Sequence, residues 1–367
     1  MTSRERVLRT IRREPADRTP VDFSANAATL EKLHRSFGTR THRELLDALG
    51  SDIVDLRGIT DPIYRGPVPK ERALPDGGME NYWGWRTKQM ETATGPELCY
   101  YDFVLKDCST LDELAAHPWP KPDWFDFSGF AERLREWEGL AIMATGASVW
   151  QHPSFLRSLD QLLVDLAVNQ ELADFLLDTF TDFYVAYFDR MFTAAPGAID
   201  IFRIADDLGM QDRLLIGPDT FAAYIAPRIA RLAEMAHSHG IAVMFHSCGS
   251  ILPLIEPLIG AGVDILDPIQ VTAAGMDPVA LKERYGDRLC FHGAIDTQYL
   301  LPQGTPQEVE AEVAKMIRIL GGGGVGGDGK KGGTGKSSGY ILSPSHVLQS
   351  DVPIANIRAL CLAERSA

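Results

Sequence analysis

The sequence predicts an α/β protein, a (β/α)8 TIM barrel with a β-hairpin excursion between its second and third strands. Three observations point there. Short apolar, β-branched runs alternate with longer stretches of helical periodicity throughout the 367 residues. Polar residues follow most of these runs, where the carboxyl end of a parallel strand would lie. Hydrophobic residues make up 45% of the chain, ample for one large core, and residues 1–367 read as a single domain. A doubly wound sheet is the alternative, but no Gly-rich first βα turn supports it.

The elements follow in order. MTSRERVLRTIRREPADRTP reads as a charged amphipathic helix and a Pro-bounded turn, without the apolar core of a signal peptide. TPVDF (19–23) and DIVDL (52–56) are the first two candidate strands. LAIMA (140–144), AIDIFRI (198–204) and IAVMF (241–245) are the next three. VDIL (263–266), LCFH (289–292) and YIL (340–342) complete eight. Segments 155–190, 218–239 and 305–320 carry helical periodicity between strands. Residues 60–135 are rich in Pro, Gly and aromatics, and Asp76-Gly77-Gly78 is a hairpin-type turn. This excursion offers a lid or a homodimer surface, or is a solvated loop with structural aromatics.

Residues 321–339 form a Gly/Lys-rich, low-complexity stretch that reads as a flexible insert. Within it Lys331 to Ser337 spells KGGTGKS, which resembles a variant Walker loop. A phosphate loop needs a buried strand before it and a helix after it, and neither is predicted here.

Composition narrows the function. The net charge of −14 argues against broad binding to nucleic acid or anionic membranes, while leaving room for a local basic pocket. No run of about 20 apolar residues exists to span a membrane. The five cysteines are scattered and odd in number, so they form no secreted disulfide framework. The chain reads as a soluble cytoplasmic protein.

The chemistry centres on His246-Ser247-Cys248. Strand alternation puts an imidazole and a thiol on one face at a strand's carboxyl end. Zinc favours this nitrogen-plus-thiolate mixture. The alternative is a buried Cys beside a His satisfied by a backbone carbonyl. His346, after the 340–342 strand, is the candidate third ligand; His292 competes with it, and His152 is a weaker option. His237 and His239 instead suit the end of a helix before Gly240. Asp206 and Asp207 follow the 198–204 strand as candidate catalytic carboxylates, or as a helix cap and a partner of Arg203. Gln270 is a third catalytic candidate. Trp150, Gln151, Arg203 and Asp296 are the candidate substrate contacts.

These pieces together resemble the uroporphyrinogen decarboxylase superfamily over nearly the whole length, apart from 321–339. The matching segments are DRTPVDF, the Asp76-Gly77-Gly78 … Tyr82-Trp83-Gly84-Trp85 hairpin, IADDLGMQ, FHSCGS, VDILDPIQ, CFHGAIDTQ and GYILSPSH followed by VPIANI. The resemblance implies a (β/α)8 barrel. The true decarboxylase carries two substrate-binding arginines after the first strand, where this chain has Phe23-Ser24-Ala25-Asn26-Ala27-Ala28. The other branch, zinc-dependent methyltransferases that work with corrinoid proteins, carries His-x-Cys-Gly, matched by His246 and Cys248, and a later Cys, replaced here by His346. The branch implies Zn2+ on this chain, a corrinoid (cobalamin) on a partner protein, and a small methylated substrate. A His2Cys site would leave zinc a net positive charge, which inclines the expectation toward methyl ethers or alcohols over thiols. A metal-independent decarboxylase or lyase, and a non-catalytic binding protein on the same barrel, are the competing expectations.

Overall fold

The computed structural model describes residues 1–92, 95–322 and 339–363. Seven parallel strands form one curled sheet: Ile53–Asp55 (β1), Ala141–Ala147 (β2), Ile201–Ala205 (β3), Ala242–His246 (β4), Ile265–Ile269 (β5), Cys290–Ile295 (β6) and Tyr340–Pro344 (β7). Each pairs with its neighbour in chain order, as short strands joined by helical crossovers must. The crossovers include the 25-residue helix Gln170–Ala194 and the helices Ala226–Ser238 and Pro306–Leu320.

The predicted strand at 19–23 is reduced to a single bridge, Val21 to Leu342. Pro20 has no N–H to donate to a ladder, which limits the segment. Its backbone still joins both edges of the sheet. Asp22 N donates to Leu342 O at 2.8 Å, Leu342 N to Pro20 O at 2.9 Å, and Asp52 N to Val21 O at 2.7 Å.

Alternation along the strands sorts the side chains into two sets. Val54, Ile142, Phe202, Val243, Phe245, Leu266, Phe291 and Leu342 pack in the large outer cluster with the helices. Ile53, Met143, Ile201, Met244, Ile265, Cys290 and Ile341 form a separate inner cluster. Val7 and Ile11 of the N-terminal helix Ser3–Ile11 join that inner cluster, so the helix seals it. Two residues further along six of the seven strands, on the same inner side, come Asp55, Arg203, His246, Asp267, His292 and Ser343. All six line one cavity at the carboxyl ends of the strands.

Between β1 and β2 lies a four-stranded antiparallel sheet built from Glu71–Ala73, Met79–Asn81, Arg86–Thr92 and Gly95–Tyr100. It is larger than the expected hairpin. The Asp76-Gly77-Gly78 turn connects its first two strands; Gly77 has φ +87°, and Gly78 N donates to Asp76 Oδ1 at 3.0 Å. The KGGTGKS string, and nearly all of the 321–339 insert around it, lie outside the described residues. Among the described residues the five cysteines are unpaired, and no helix is long and apolar enough to cross a membrane.

Candidate functional site

The inner polar residues form a buried charge network. Asp267, next to His246 in the β4–β5 register, accepts from Arg203 Nε at 2.8 Å and lies 2.8 Å from His246 Nδ1, both through Oδ2. Its Oδ1 lies 2.7 Å from His292 Nδ1, and His292 Nε2 lies 3.0 Å from Asp22 Oδ2. Burial alone would lower the pKa of His292, but the two carboxylates outweigh it and hold it up to about 9. Burial likewise opposes ionisation of Asp267, yet Arg203, His292 and His246 hold its carboxyl well below the usual range. With both ring nitrogens occupied by carboxylates, His292 is not free to ligate a metal.

His246 is set differently. Arg203 Nη2 also approaches His246 Nδ1, at 2.7 Å. A guanidinium only donates and a carboxylate only accepts, so Nδ1 can serve one of them. Donation from Nδ1–H to Asp267 leaves Nε2 with its lone pair. That nitrogen faces Cys248 Sγ at 3.5 Å and Asp207 Oδ1 at 3.6 Å. The donor atoms of Asp207, His246 and Cys248 all fall within 4.8 Å of one another. Ligands at about 2.0–2.3 Å from a tetrahedral zinc sit roughly 3.3–3.8 Å apart, so slight closure completes a three-donor site. Burial first, then Asp207 and Asp267, push the Cys248 thiol up from its ordinary pKa.

Two loops bring these donors together. Cys248 N donates to Asp207 Oδ1 at 2.9 Å. Ser250 N donates to Met210 O at 2.7 Å. A Cβ on Gly209 would stand 2.5 Å from Cys248 O, and one on Gly249 2.5 Å from Met210 O. Glycine at both positions is what allows backbone to lie on backbone here.

The structure redistributes the residues expected at the site. His346 lines the cavity, but its ring centroid is 6.4 Å from that of His246, and Asp207 takes the third place in the cluster. His346 follows Ile341 and Ser343 out of phase by one residue, which carries it away from the inner row. Burial and the neighbouring His246 lower its pKa. Asp206 does not face the cavity. It is fully buried and accepts from Ser148 Oγ at 2.5 Å and from the backbone N–H groups of Val149, Trp150 and Gln151, each at 2.9 Å. It therefore ties the end of β2 and the start of helix Gln151–Arg157 to β3. Burial raises its pKa to about 6 against those four donors.

Trp150 is a core residue, 1% exposed, and lines neither this cavity nor the larger one beside it. Asp296 accepts from the N–H groups of Gln298, Tyr299 and Leu300, so it fixes a turn while bordering an adjoining cavity. Gln270 borders the same cavity; its Oε1 accepts from Gly249 N at 2.7 Å and steadies the Cys248 turn. Gln151 and Arg203 do line the main cavity, and Gln151 Nε2 lies 3.5 Å from Asp207 Oδ2. Sequence reading missed Asp267, Asp22, Asp55 and Arg57. The signal for Asp55 and Asp267 was in the strands, as polar residues two positions beyond an inner apolar one.

A second cavity of about 430 Å3 adjoins the main one, which is about 260 Å3. Arg57, Gln151 and Ala205 line both.

The chain matches the family model described as uroporphyrinogen decarboxylase (URO-D) over residues 131–366. It is 22% identical over 331 residues to the methylcobamide:CoM methyltransferase MtbA of Methanosarcina mazei, covering 86% of this chain and 89% of that protein. It is also 22% identical over 374 residues to the MtbA of Methanosarcina acetivorans, covering 98% of this chain and 96% of the other. A solved methyltransferase from Methanosarcina mazei shares the fold at a TM-score of 0.63 and 18% identity, covering 100% of this chain and 99% of that one. With more than half of its length matched by the family model, the chain belongs to the uroporphyrinogen decarboxylase family.

Proposed function

We propose that this protein is a zinc-dependent methyltransferase that moves a methyl group between a small molecule and a corrinoid protein. The observation that carries the reading is the Asp207, His246 and Cys248 cluster, with His246 Nδ1 backed by the buried Asp267 carboxylate. A carboxylate behind the imidazole is the usual support for a metal-ligating histidine. The names of the two relatives, both methyl transfer proteins that act with a cobamide, point the same way. We also read the edge contacts of residues 20–22 as closing the sheet into a barrel, which puts the cluster at its carboxyl-end mouth.

The donor set fits zinc: one imidazole, one thiolate and one carboxylate, which would leave a fourth position for a substrate heteroatom. Zinc held there supplies a Lewis acid that favours negative charge on a substrate heteroatom. This chain's own residues set up the rest. Asp267 fixes the His246 tautomer. Arg203 neutralises Asp267 and so keeps that carboxylate from acting as a stray base. Gln151, between the two cavities, orients what lies across them. In transfer to the corrinoid, the bond from methyl carbon to heteroatom breaks and the heteroatom keeps the pair. The methyl acceptor on the corrinoid protein would supply the pair for the new bond to carbon, and solvent would protonate the heteroatom.

Elemental analysis and the cobalamin spectrum test this together. One zinc per chain, lost in Cys248→Ala and in Asp207→Ala, and methylcobalt formation with the native corrinoid partner are expected. Full zinc occupancy in Cys248→Ala overturns the site. Release of carbon dioxide from a carboxylate substrate, unaffected by chelators, overturns the reaction in favour of a decarboxylase.

A further inference from the structure

The larger cavity has a chemistry of its own. Its walls are Trp83, Trp85, Tyr100, Phe155, Tyr184 and Phe188, with further aromatics behind them. Trp83, Trp85 and Phe180 lie mutually parallel, with centroids 4.5 to 6.4 Å apart and planes within 9° of one another. Such a stack is a preorganised platform: it loses little entropy when a ligand packs on it. Trp83 and Trp85 come from the antiparallel insertion, while Tyr184 and Phe188 come from helix Gln170–Ala194. The cavity volume of about 430 Å3 is that of a small-molecule site.

Two polar atoms on its lining residues are buried without a hydrogen-bond partner, Trp85 Nε1 and Thr145 Oγ1. Four buried side-chain atoms among the described residues are in that state, and two of them sit on residues that line this cavity. A buried donor without an acceptor is costly, and a ligand oxygen would satisfy it. One further polar pair in the wall is self-contained: Tyr184 Oη and His152 Nδ1 are 2.5 Å apart, and burial pushes the His152 pKa down to about 3, so the ring is neutral. The charged lining groups Arg57, Lys70 and Asp61 sit at the exposed rim, where Lys70 and Asp61 pair at 3.7 Å. Aromatic walls also suit a quaternary ammonium. Here, though, the interior holds no carboxylate and the rim cations outnumber the single acid, which disfavours a cation.

We propose that this pocket holds the flat, uncharged aromatic ring of an O-methylated aromatic substrate and presents its methyl group at the Asp207, His246 and Cys248 cluster. The proposal rests on the methyl-transfer reading above and names its substrate class. Arg57, Gln151 and Ala205, shared by both cavities, mark the passage between ring and reacting end.

The test is direct binding to the full chain, with and without zinc, using methoxybenzene, toluene and tetramethylammonium as probes and tryptophan fluorescence and calorimetry as readouts. Methoxybenzene should saturate in both metal states and bind more tightly than toluene. Trp85→Ala should weaken both aromatic probes about tenfold or more, a loss of roughly 1.4 kcal/mol. Trp85→Phe keeps a smaller aromatic ring and removes the N–H, so it should still bind both probes, each more weakly, but lose the preference for methoxybenzene. Methoxybenzene affinity unchanged in Trp85→Ala, or saturation by tetramethylammonium in place of the aromatic probes, overturns the proposal. Methylcobalt formed from aliphatic donors alone, with zinc in place, refutes the aromatic class and spares methyl transfer. Ring binding with no methylcobalt from any donor refutes methyl transfer and spares the pocket.

Discussion

Replacing Asp206 by alanine should cost stability before it costs chemistry. The carboxylate is fully buried and accepts four hydrogen bonds, three from consecutive backbone N–H groups at the start of helix Gln151–Arg157 and one from Ser148 Oγ. Alanine leaves all four donors without an acceptor. Hydrogen bonds to a charged acceptor are worth about 1.5–3 kcal/mol each, and an orphaned buried donor costs about 1–3 kcal/mol. Water entering the space of the lost carboxylate recovers part of this, so a net loss of about 4 kcal/mol is expected. Asp206→Asn should cost about 2 kcal/mol, because Oδ1 keeps its three donors while an amide nitrogen can face Val149 N–H. The assay is the urea midpoint by circular dichroism and fluorescence, with zinc content measured on the same samples. A wild-type midpoint in Asp206→Ala with much reduced turnover would refute this reasoning and return Asp206 to catalysis.

Three further outcomes follow from the network around the site. His292 has a folded pKa of about 9, above the ordinary 6.5, so its stabilisation is fully present below pH 6.5 and is lost as pH rises through 9. At about 1.36 kcal/mol per pKa unit this is roughly 3 kcal/mol, read as the difference between wild-type and His292→Asn stability across that window; parallel curves would contradict it. Asp267→Asn removes the carboxylate behind His246 and should weaken zinc binding about 10–100-fold in a competition titration with a chelator. Gly209→Ala places a Cβ 2.5 Å from Cys248 O, so it should part the two loops and lower zinc content, even though it touches no ligand side chain; full occupancy would show that the loops can yield.

Much of the architecture was legible because parallel strands carry a simple signal. The predicted runs at 52–56, 140–144, 198–204, 241–245, 263–266, 289–292 and 340–342 all overlap strands of the sheet. The run at 19–23 looked alike, but Pro20 removes a donor and leaves one bridge. At the site, His246 and Cys248 were legible from their spacing at a strand end. Their partner was not. Asp206 and Asp207 are equivalent on paper, and only the loop packing of Gly209 against Cys248 turns one toward the cluster and the other into a cap. His346 and His292 were exchangeable as names on strand ends. The two carboxylates that occupy His292 come from residues 22 and 267, a pairing that sequence distance hides. The insertion between β1 and β2 was visible as composition, but not as the wall of a cavity.

Reading Asp207 rather than His346 as the third ligand, as proposed above, also moves the question of substrate. A His2Cys site would leave zinc with net positive charge and so favour oxygen over sulfur. With Asp207 in place of His346, the carboxylate and the thiolate together cancel the charge of zinc. The neutral site is then no stronger a Lewis acid than one with two thiolates, and charge at the metal no longer separates an ether from a thiol. Discrimination has to come from groups that touch the rest of the substrate. The aromatic walls and the unpartnered Trp85 Nε1 and Thr145 Oγ1 are such groups, and they lie beside the cluster rather than in it. Trp83, Trp85 and Tyr100 belong to the insertion, whereas the three proposed metal donors lie at the ends of β3 and β4. On this proposal, substrate choice and metal chemistry sit on different segments of the chain. Changes in the insertion should alter which donors are accepted while leaving zinc affinity as it is.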